Sequence, residues 1–154
     1  MNEELIKTFY TAFSKLNSKQ MTSCYHDEIE FTDPAFGTLR GNRAKAMWHM
    51  LCHSATDLKI EFSDVKANEK SGSAKWVATY SFSKTGRKVT NRISADFEFK
   101  DGKIIKHIDS FNLHKWAQQA IGFQGWLLGG TTFFKKKLQA QANKSLDKFL
   151  SSSE

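Results

Sequence analysis

The chain has 154 residues, 40% of them hydrophobic, which is enough for a single domain with a substantial core. Its net charge is +7, but the excess lysines lie late in the sequence, and this does not favour a nucleic-acid-binding fold. No apolar run reaches the roughly 20 residues of a membrane-spanning helix, and no signal-peptide pattern opens the chain. The two cysteines, Cys24 and Cys52, fit no metal-site spacing, so we expect a cytoplasmic protein with free thiols.

Helical periodicity dominates the N-terminal part of the chain. The first helix is predicted to carry Phe9 and Phe13 on its apolar stripe, with Asn2 as its N-cap. A residue of the capping type also precedes the second helix. The three predicted helices span residues 2–17, 18 to about 25, and 41–54.

A short strand is predicted over residues 28–33, between the second and third helices. Side chains alternate between the two faces of a strand, so Asp33 shares a face with Ile29 and Phe31. Asp33 is therefore a carboxylate that we expect to point towards the core. The competing interpretation is a turn-starting aspartate before Pro34, which is the commoner use of this residue pair.

Two further strands follow the third helix. An alternating pattern that begins at Leu58 changes phase, which predicts a bulge near residues 63–64. The next strand is predicted to point Trp76 and Tyr80 inward.

The C-terminal part is predicted to be mostly helical, with helices over residues 114–121 and about 132–150 and a glycine-broken apolar passage between them. The lysines of the last helix can face a membrane or an acidic partner. We favour a helix that docks its apolar side on the same fold or on a second subunit and leaves its lysines solvated. A homodimer is the expected assembly.

The most informative stretch is residues 89–113, two extended runs joined at Lys100-Asp101-Gly102. A two-residue turn would pair Lys100 with Lys103, whereas a three-residue loop with a bulge would pair Phe99 with Lys103. The second register is preferred, because it separates the apolar set from the charged set. The inner face then carries Asn91, Ile93, Ala95, Phe97, Ile105, His107, Asp109 and Phe111.

Helices followed by a meander of long strands predict an α+β fold. We expect a cone-shaped curved antiparallel sheet with the N-terminal helices packed over its concave face, plus a C-terminal helical extension. Residues 1–114 would form the cone and residues 115–154 the extension of the same domain. Helices across the open end of such a cone leave an internal cavity.

A carboxylate, an imidazole and an amide share this apolar face: Asp109, His107 and Asn91. Burying them unpaired would cost roughly 1–3 kcal/mol each, so they are either bonded to one another or used. A carboxyl group in an apolar pocket has a raised pKa and can act as a general acid or base, and a neighbouring imidazole can relay the proton. The alternative is a structural polar pair bonded to backbone or water.

The sequence offers no convincing metal or cofactor site. His49 and His53 have the spacing of two ligands on one helix face, but no third ligand is evident, so a surface role is favoured and no cofactor is predicted. Aromatic residues such as Trp48 and Phe111 are candidates to line a cavity, although each is individually more often plain core.

Five short motifs follow one another along the chain: FYTAF (9–13), YHDEIEFTDP (25–34), GTLRG (37–41), FKDGKI (99–104) and HIDSF (107–111). In their order and spacing they resemble the nuclear-transport-factor-2-like superfamily, in its SnoaL-like branch, which is related to polyketide cyclases and ketosteroid isomerase. The resemblance covers about residues 3–114. It implies the same cone-shaped α+β fold.

The resemblance also implies roles for individual residues. Asp33 falls where ketosteroid isomerase keeps its proton-shuttling base. The isomerase's two oxyanion donors are missing, because its helical tyrosine aligns with Phe9 (Tyr10 is next to it) and its protonated aspartate aligns with Ala95; steroid isomerisation is therefore not expected. Asp109 resembles the last-strand aspartate that acts as base in SnoaL-like cyclases.

Together these observations predict a cofactor-independent acid–base enzyme, with cyclase-, isomerase- or hydrolase-like chemistry on a small, mostly apolar carbonyl ligand inside the cone. Asp109 would transfer the proton, His107 would relay it, and Asp33 would be a second acid or base. The alternative is a non-catalytic binding or dimeric interaction module, whose cone would be filled by side chains. The expected ligand-contacting residues are Tyr10, Phe36, Trp48, Trp76, Tyr80, Asn91 and Phe111.

Overall fold

The structure is a computed structural model in which residues 1–152 are described. Its elements in chain order are α1 Asn2–Ser14, α2 Ser18–Ser23, β1 Tyr25–Asp33, β2 Gly37–Arg40, α3 Asn42–Ser54, β3 Lys59–Ala67, β4 Ser71–Ser81, β5 Lys88–Lys100, β6 Lys103–Ser110, α4 Leu113–Ile121, α5 Phe123–Leu128 and α6 Thr132–Ser152. Within the described residues, none of these helices has the length and apolarity needed to span a membrane.

The strands form one six-stranded sheet in the order β2-β1-β6-β5-β4-β3. The helices α1, α2 and α3 pack against its inner face, so the predicted α+β architecture is confirmed. The expectation of an antiparallel sheet needs one correction, because β1 and β6 run parallel. The physical reason is that β6 forms a hairpin with β5 and then lies between β5 and β1, where its direction is already fixed by that hairpin.

The core lies between the three N-terminal helices and the inner face of the sheet. Strand β5 shows the predicted alternation without exception from Val89 to Phe97, with every second residue buried. Helix α1 contributes Ile6, Phe9 and Phe13 to the same core. The predicted end of this helix at residue 17 is wrong, since α1 stops at Ser14 and Leu16 is 38% exposed.

The turn between β5 and β6 differs from the predicted three-residue loop. Lys100 pairs with Lys103, and both Asp101 (φ 54°) and Gly102 (φ 73°) have left-handed backbone conformations. An Asp-Gly pair tolerates this conformation at both positions, and the resulting two-residue turn matches the right-handed twist of the flanking strands. The preferred register was therefore wrong at the turn.

A bulge next to this turn restores the predicted inner face. Phe99 pairs with Ile104, but Glu98 pairs with Lys106, so Ile105 is an extra residue in β6. Ile104 is consequently buried, and Ile105, which was predicted to point inward, is only half-buried. Beyond the bulge the phase returns, and His107 lies opposite Phe97 on the inner face.

The other predicted strand bounds, bulges and helix caps agree with the structure only in part. Strand β1 begins at Tyr25 rather than at residue 28, and β2 was not predicted at all. The bulge near residues 63–64 is confirmed by a register shift and by a left-handed Asp64 (φ 54°). Asn2 is not the N-cap of α1, since its amide donates to Asn68 O at 2.9 Å, whereas Asn17 caps α2 as expected.

The C-terminal helices cover one end of the sheet, which we call the mouth: the end where β1, β4 and β6 finish and β5 begins. Helix α6 lies over the β1–β2 turn, where Gln139 Nε2 donates to Pro34 O (3.2 Å) and Asn143 Nδ2 to Phe36 O (2.9 Å). Its Leu146 is fully buried in the main core. The division at residue 114 stays a prediction.

Candidate active site at the mouth of the sheet

A continuous chain of hydrogen bonds crosses the interior. Trp48 Nε1 donates to Tyr25 Oη (2.8 Å), and Tyr25 Oη donates to His107 Nδ1 (2.7 Å). His107 Nε2 in turn donates to Asp109 Oδ1 (2.8 Å), which also accepts from Trp76 Nε1 (3.3 Å). A neutral imidazole with its proton on Nε2 satisfies every donor in this chain. The chain therefore holds Asp109 in one orientation.

The Tyr25 hydroxyl lies between the Trp48 indole and the His107 imidazole in this chain of hydrogen bonds. Burial raises the pKa of Tyr25 well above its usual value, and the nearby charge of Asp109 raises it further. Its hydroxyl therefore keeps the proton that it donates to His107. Tyr25 was not predicted as a site residue. It lies an even number of residues before Ile29 and Asp33, so a strand predicted to begin earlier would have placed it on the inner face.

His107 is sealed inside a cage of aromatic rings and has no exposed surface. Its ring centroid lies 4.5 Å from that of Phe97, 5.0 Å from Phe31 and 5.6 Å from Phe9, and Trp48 stacks on it at 6.1 Å. This leaves no room for a ligand beside the imidazole. The His107 ring is thus enclosed by protein side chains, and its Nε2 bonds to Asp109.

Asp109 lies at the mouth end of β6 and keeps 4% of its surface exposed. Both of its hydrogen bonds, from His107 and Trp76, go to Oδ1. Among residues 1–152 no side chain or backbone group donates to Oδ2. One carboxylate oxygen is therefore held by two hydrogen bonds, and the other has no donor among the described residues.

Asp33 lies beside Asp109 on the neighbouring strand. The parallel register pairs Phe31 with His107 and Thr32 with Ile108, which brings the next residues, Asp33 and Asp109, level with each other. Adjacent strands are about 5 Å apart, so the two carboxyl groups share one environment.

The environment of Asp33 changes its acidity. Burial raises its pKa to about 7, and the charge of Asp109 contributes in the same direction. Two backbone hydrogen bonds to its Oδ1, from Ala35 N (2.9 Å) and Phe36 N (2.6 Å), oppose the shift. The turn-starting interpretation of Asp33 is thus confirmed, and its carboxyl group is partly buried at the edge of the core.

Asn91 and Tyr80 are two further polar side chains on β5 and β4, and Asn91 lies on the same face of β5 as Ala95, the partner of Asp109. Asn91 is 9% exposed, and its amide makes no side-chain hydrogen bond in the part of the chain that the structure describes. Tyr80 Oη accepts a hydrogen bond from Trp116 Nε1 of α4 (2.7 Å), so its own proton remains available. Burial raises the pKa of Tyr80, the hydrogen bond from Trp116 opposes this, and the charge of Asp33 raises the pKa further.

The remaining predicted ligand residues are divided between the mouth and the interior. Phe36 (9% exposed) and the half-buried Phe111 lie at the mouth, where Phe111 packs against both the main core and the α4 cluster. Trp76 is 6% exposed and reaches Asp109. Trp48 lies deep in the core at 1% exposure, with its indole N–H bonded to Tyr25.

Tyr10 also lies in the interior, but its hydroxyl group differs from the other buried polar groups in its hydrogen bonding. Within residues 1–152 its Oη is the one fully buried side-chain nitrogen or oxygen without a hydrogen-bond partner. The ring packs against Phe62 (5.7 Å) and Trp76 (5.8 Å). Burial raises the pKa of Tyr10 well above its usual value, and Asp109 raises it further, so the hydroxyl stays protonated.

We expect Tyr10→Phe to leave the protein equally stable or to stabilise it by about 1 kcal/mol, because the change removes a buried hydroxyl that bonds to nothing. Urea denaturation monitored by circular dichroism measures this. Tyr25→Phe is the matched control: it removes a hydroxyl with two partners and should destabilise by about 1–3 kcal/mol. A Tyr10→Phe variant that lost as much stability as the control would contradict the expectation.

The described residues contain no group of three or more His, Cys, Asp or Glu arranged to hold a metal ion. His49 Nδ1 is hydrogen-bonded to Ser18 Oγ (2.7 Å), and His53 lies against the Phe149 ring (6.3 Å between centroids). Two surface depressions, of about 730 and 370 Å³, lie around the β3–β4 turn and the N-terminus. Neither is lined by Asp33, His107 or Asp109.

The family follows from the sequence together with this fold. The sequence profile of the SnoaL-like domain matches residues 6–107, from α1 to the buried histidine of β6. The chain belongs to the SnoaL-like domain family. Comparison with the sequences of curated proteins gives no significant match.

Solved structures share the fold of this SnoaL-like domain. An LEH-like epoxide hydrolase from M. tuberculosis has a TM-score of 0.62 at 16% identity, covering 82% of this chain and 89% of its own. A protein from Xanthomonas campestris proposed to be a polyketide cyclase has a TM-score of 0.63 at 19% identity, covering 75% and 93%. A protein with a ketosteroid-isomerase-like fold from Catenulispora acidiphila, in complex with trimethylamine, has a TM-score of 0.66 at 11% identity, covering 76% and 92%.

Together with a protein from Burkholderia pseudomallei described as NTF2-like (TM-score 0.67 at 12% identity), these likenesses establish the nuclear-transport-factor-2-like fold of the SnoaL-like domain. At such low identity they do not transfer a reaction, since one of these structures is an epoxide hydrolase and another is proposed to be a polyketide cyclase. The matched segment ends at His107, so α4, α5 and α6, which cover the mouth, lie outside it.

Proposed function

We propose that this SnoaL-like protein is a cofactor-independent acid–base enzyme that acts on a small, mostly apolar carbonyl compound at the mouth of the sheet. The supporting observation is the pair of level carboxyl groups, Asp33 and Asp109, on one apolar face. With a pKa of about 7, Asp33 is ready either to give or to take a proton near neutral pH.

The two carboxyl groups have different roles in the proposed reaction. The free Oδ2 of Asp109 removes a proton from the carbon next to the carbonyl group, and protonated Asp33 supplies one to the developing product. The proton then passes between the neighbouring carboxyl groups, which restores the starting state. His107 acts as a positioning residue, because it holds Oδ1 of Asp109 without reaching the ligand, and Trp76 Nε1 donates to the same oxygen.

The surroundings of the pair indicate the kind of ligand. The Tyr80 hydroxyl proton and the Asn91 amide are donors without protein acceptors, so they are suited to hold a carbonyl oxygen. Trp76, Phe36 and Phe111 provide flat apolar walls. A small, flat ketone satisfies both requirements.

A second candidate, a non-catalytic binding or interaction module, is favoured by the packing around His107. The aromatic cage fills the inner half of the sheet, and neither surface depression reaches the carboxyl pair. In that case the hydrogen-bond chain from Trp48 to Asp109 is purely structural, and the mouth binds no ketone.

The experiment that separates the two is an NMR titration of the Asp33 and Asp109 carboxyl carbons, with and without a small library of flat apolar ketones. The enzyme proposal expects Asp33 to titrate near pH 7 and both signals to move on ketone addition. Exposed Asp96 on the outer face of β5 is the internal control and should not respond. If the Asp33 and Asp109 carboxyl signals do not move on addition of any ketone, the result would support the binding or interaction module instead.

The remaining assignments follow from the same proposal. The homodimer and the cytoplasmic location stay predictions, as does the use of no cofactor and no nucleic acid. A small apolar ligand is the one partner that the proposed chemistry requires.

A further inference from the structure

Five large apolar side chains are exposed along one short segment, and we call them the apolar patch: Phe123 (71% exposed), Trp126 (51%), Leu127 (57%), Leu128 (46%) and Phe133 (70%). Among the large hydrophobic side chains of the described residues, only Met1 and Leu16 are also exposed, and both lie elsewhere. Contiguous exposed apolar groups mark a contact with something other than water.

The exposure of the patch is fixed by the packing of α5. Gly125 is buried so closely against α4 that a Cβ atom there would clash with Ala117 O, and a Cβ atom at Gly129 would lie 2.6 Å from Ala117 Cβ. The His114 ring is hydrogen-bonded to Trp126 O at 2.6 Å. The small residues of α5 therefore face α4, and the large apolar ones are held outward.

Positive charge adjoins the apolar patch directly. Lys135, Lys136 and Lys137 are exposed on the first turns of α6, and Lys137 Nζ lies 5.9 Å from the Phe133 ring centroid. Residues 110–146 contain five lysines and no aspartate or glutamate. The surface is thus apolar at its centre and positive at its rim.

We propose that α5 and the first turns of α6 form a membrane-association surface, on which the apolar patch enters the interfacial layer of a bilayer and the lysines contact anionic lipid headgroups. Exposed Trp and Phe beside lysines suit this layer, where aromatic rings lie at headgroup depth. The chain contributes no spanning helix in its described part, so the contact is peripheral. The proposal is independent of the chemistry at the mouth.

A second copy of the chain is a poorer occupant of the same surface. A two-fold contact through the apolar patch would bring the Lys135–Lys137 clusters of both copies together, with no acidic residue in residues 110–146 to neutralise them. Anionic headgroups supply the missing negative charge.

Tryptophan fluorescence can report this contact without labelling. Trp48, Trp76 and Trp116 are at most 7% exposed, whereas Trp126 is 51% exposed. A blue shift of the emission on membrane binding would therefore come from Trp126. Trp126→Phe keeps an aromatic anchor but should lose the shift.

The test is sedimentation with vesicles made of equal parts phosphatidylcholine and phosphatidylserine, compared with pure phosphatidylcholine vesicles. We expect binding to the anionic vesicles that weakens with salt. Changing Lys135, Lys136 and Lys137 together to Gln should weaken binding by roughly one hundredfold, and Leu127→Gln by roughly tenfold. Leu16→Gln, at an exposed leucine outside the patch, is the matched control and should change nothing.

Two results would overturn the proposal. One is equal or absent binding to both kinds of vesicle, with no shift of the Trp126 emission. The other is a dimer in sedimentation equilibrium that Leu127→Gln dissociates and Leu16→Gln does not, because this would assign the apolar patch to a second copy of the chain.

Discussion

Replacing Asp33 with asparagine is expected to make the protein more stable than the wild type at pH 8, and equally stable at pH 3. The wild-type carboxyl group holds its proton up to about pH 7 in the folded state, compared with an ordinary value of 3.8. Between these pH values the folded chain binds a proton that the unfolded chain has released, so wild-type stability falls as the pH rises.

The expected size of this effect follows from the pKa difference of about three units, which corresponds to at most about 4 kcal/mol. Asparagine retains the oxygen that accepts from Ala35 N and Phe36 N, so the turn after β1 is preserved while the buried charge is removed. Urea denaturation curves of both proteins at several pH values between 3 and 8 measure the difference.

Asp96→Asn is the control, because Asp96 is exposed on the outer face of β5 and its change should leave the pH dependence intact. If Asp33→Asn followed the wild-type stability at every pH, Asp33 would not be a buried acid. The proposed proton transfer would then lose one of its two carboxyl groups.

Asp109→Asn is expected to lower kcat by about one hundredfold to ten-thousandfold on any ketone that the wild-type protein turns over, because a general base contributes on this scale. The folded structure should persist. An asparagine oxygen can accept the same two hydrogen bonds, from His107 Nε2 and Trp76 Nε1, as Asp109 Oδ1 does.

This variant also has a readout that needs no substrate. The charge of Asp109 raises the pKa of Asp33, so Asp109→Asn should move the Asp33 titration to lower pH in the carboxyl NMR spectrum. Asp96→Asn should leave both kcat and this titration unchanged. Full turnover by Asp109→Asn would show that Asp109 is not the base.

The fold was predictable because its strongest signal is local. The alternation of β5 assigns its inner face without ambiguity, and this places Asn91 and Ala95 correctly. Because a register shift of two residues preserves the faces of a strand, the wrong hairpin register still put His107 and Asp109 on the inner face. The error appeared only near the turn, where Ile104 and Ile105 exchange roles.

The candidate site was less predictable because its bonds join distant elements. Nothing local indicates that Tyr25 links Trp48 to His107, or that Trp116 reaches the Tyr80 hydroxyl from α4. Residue spacing suggested a relay function for His107, but the aromatic cage that encloses it forms only when two helices and three strands pack together. Propensity and periodicity report which face a side chain takes, and not which partner it finds there.

The central position of β6 has a consequence for the synthesis of the protein. β6 is the last strand to leave the ribosome, yet it lies between β1 and β5 and completes the sheet. A nascent chain that lacks it exposes two unpaired strand edges, which are templates for aggregation. Asp33 and Asp109 can meet only after this long-range closure, which is slow compared with helix formation. Chaperone dependence should therefore be greatest for chains interrupted just before residue 103.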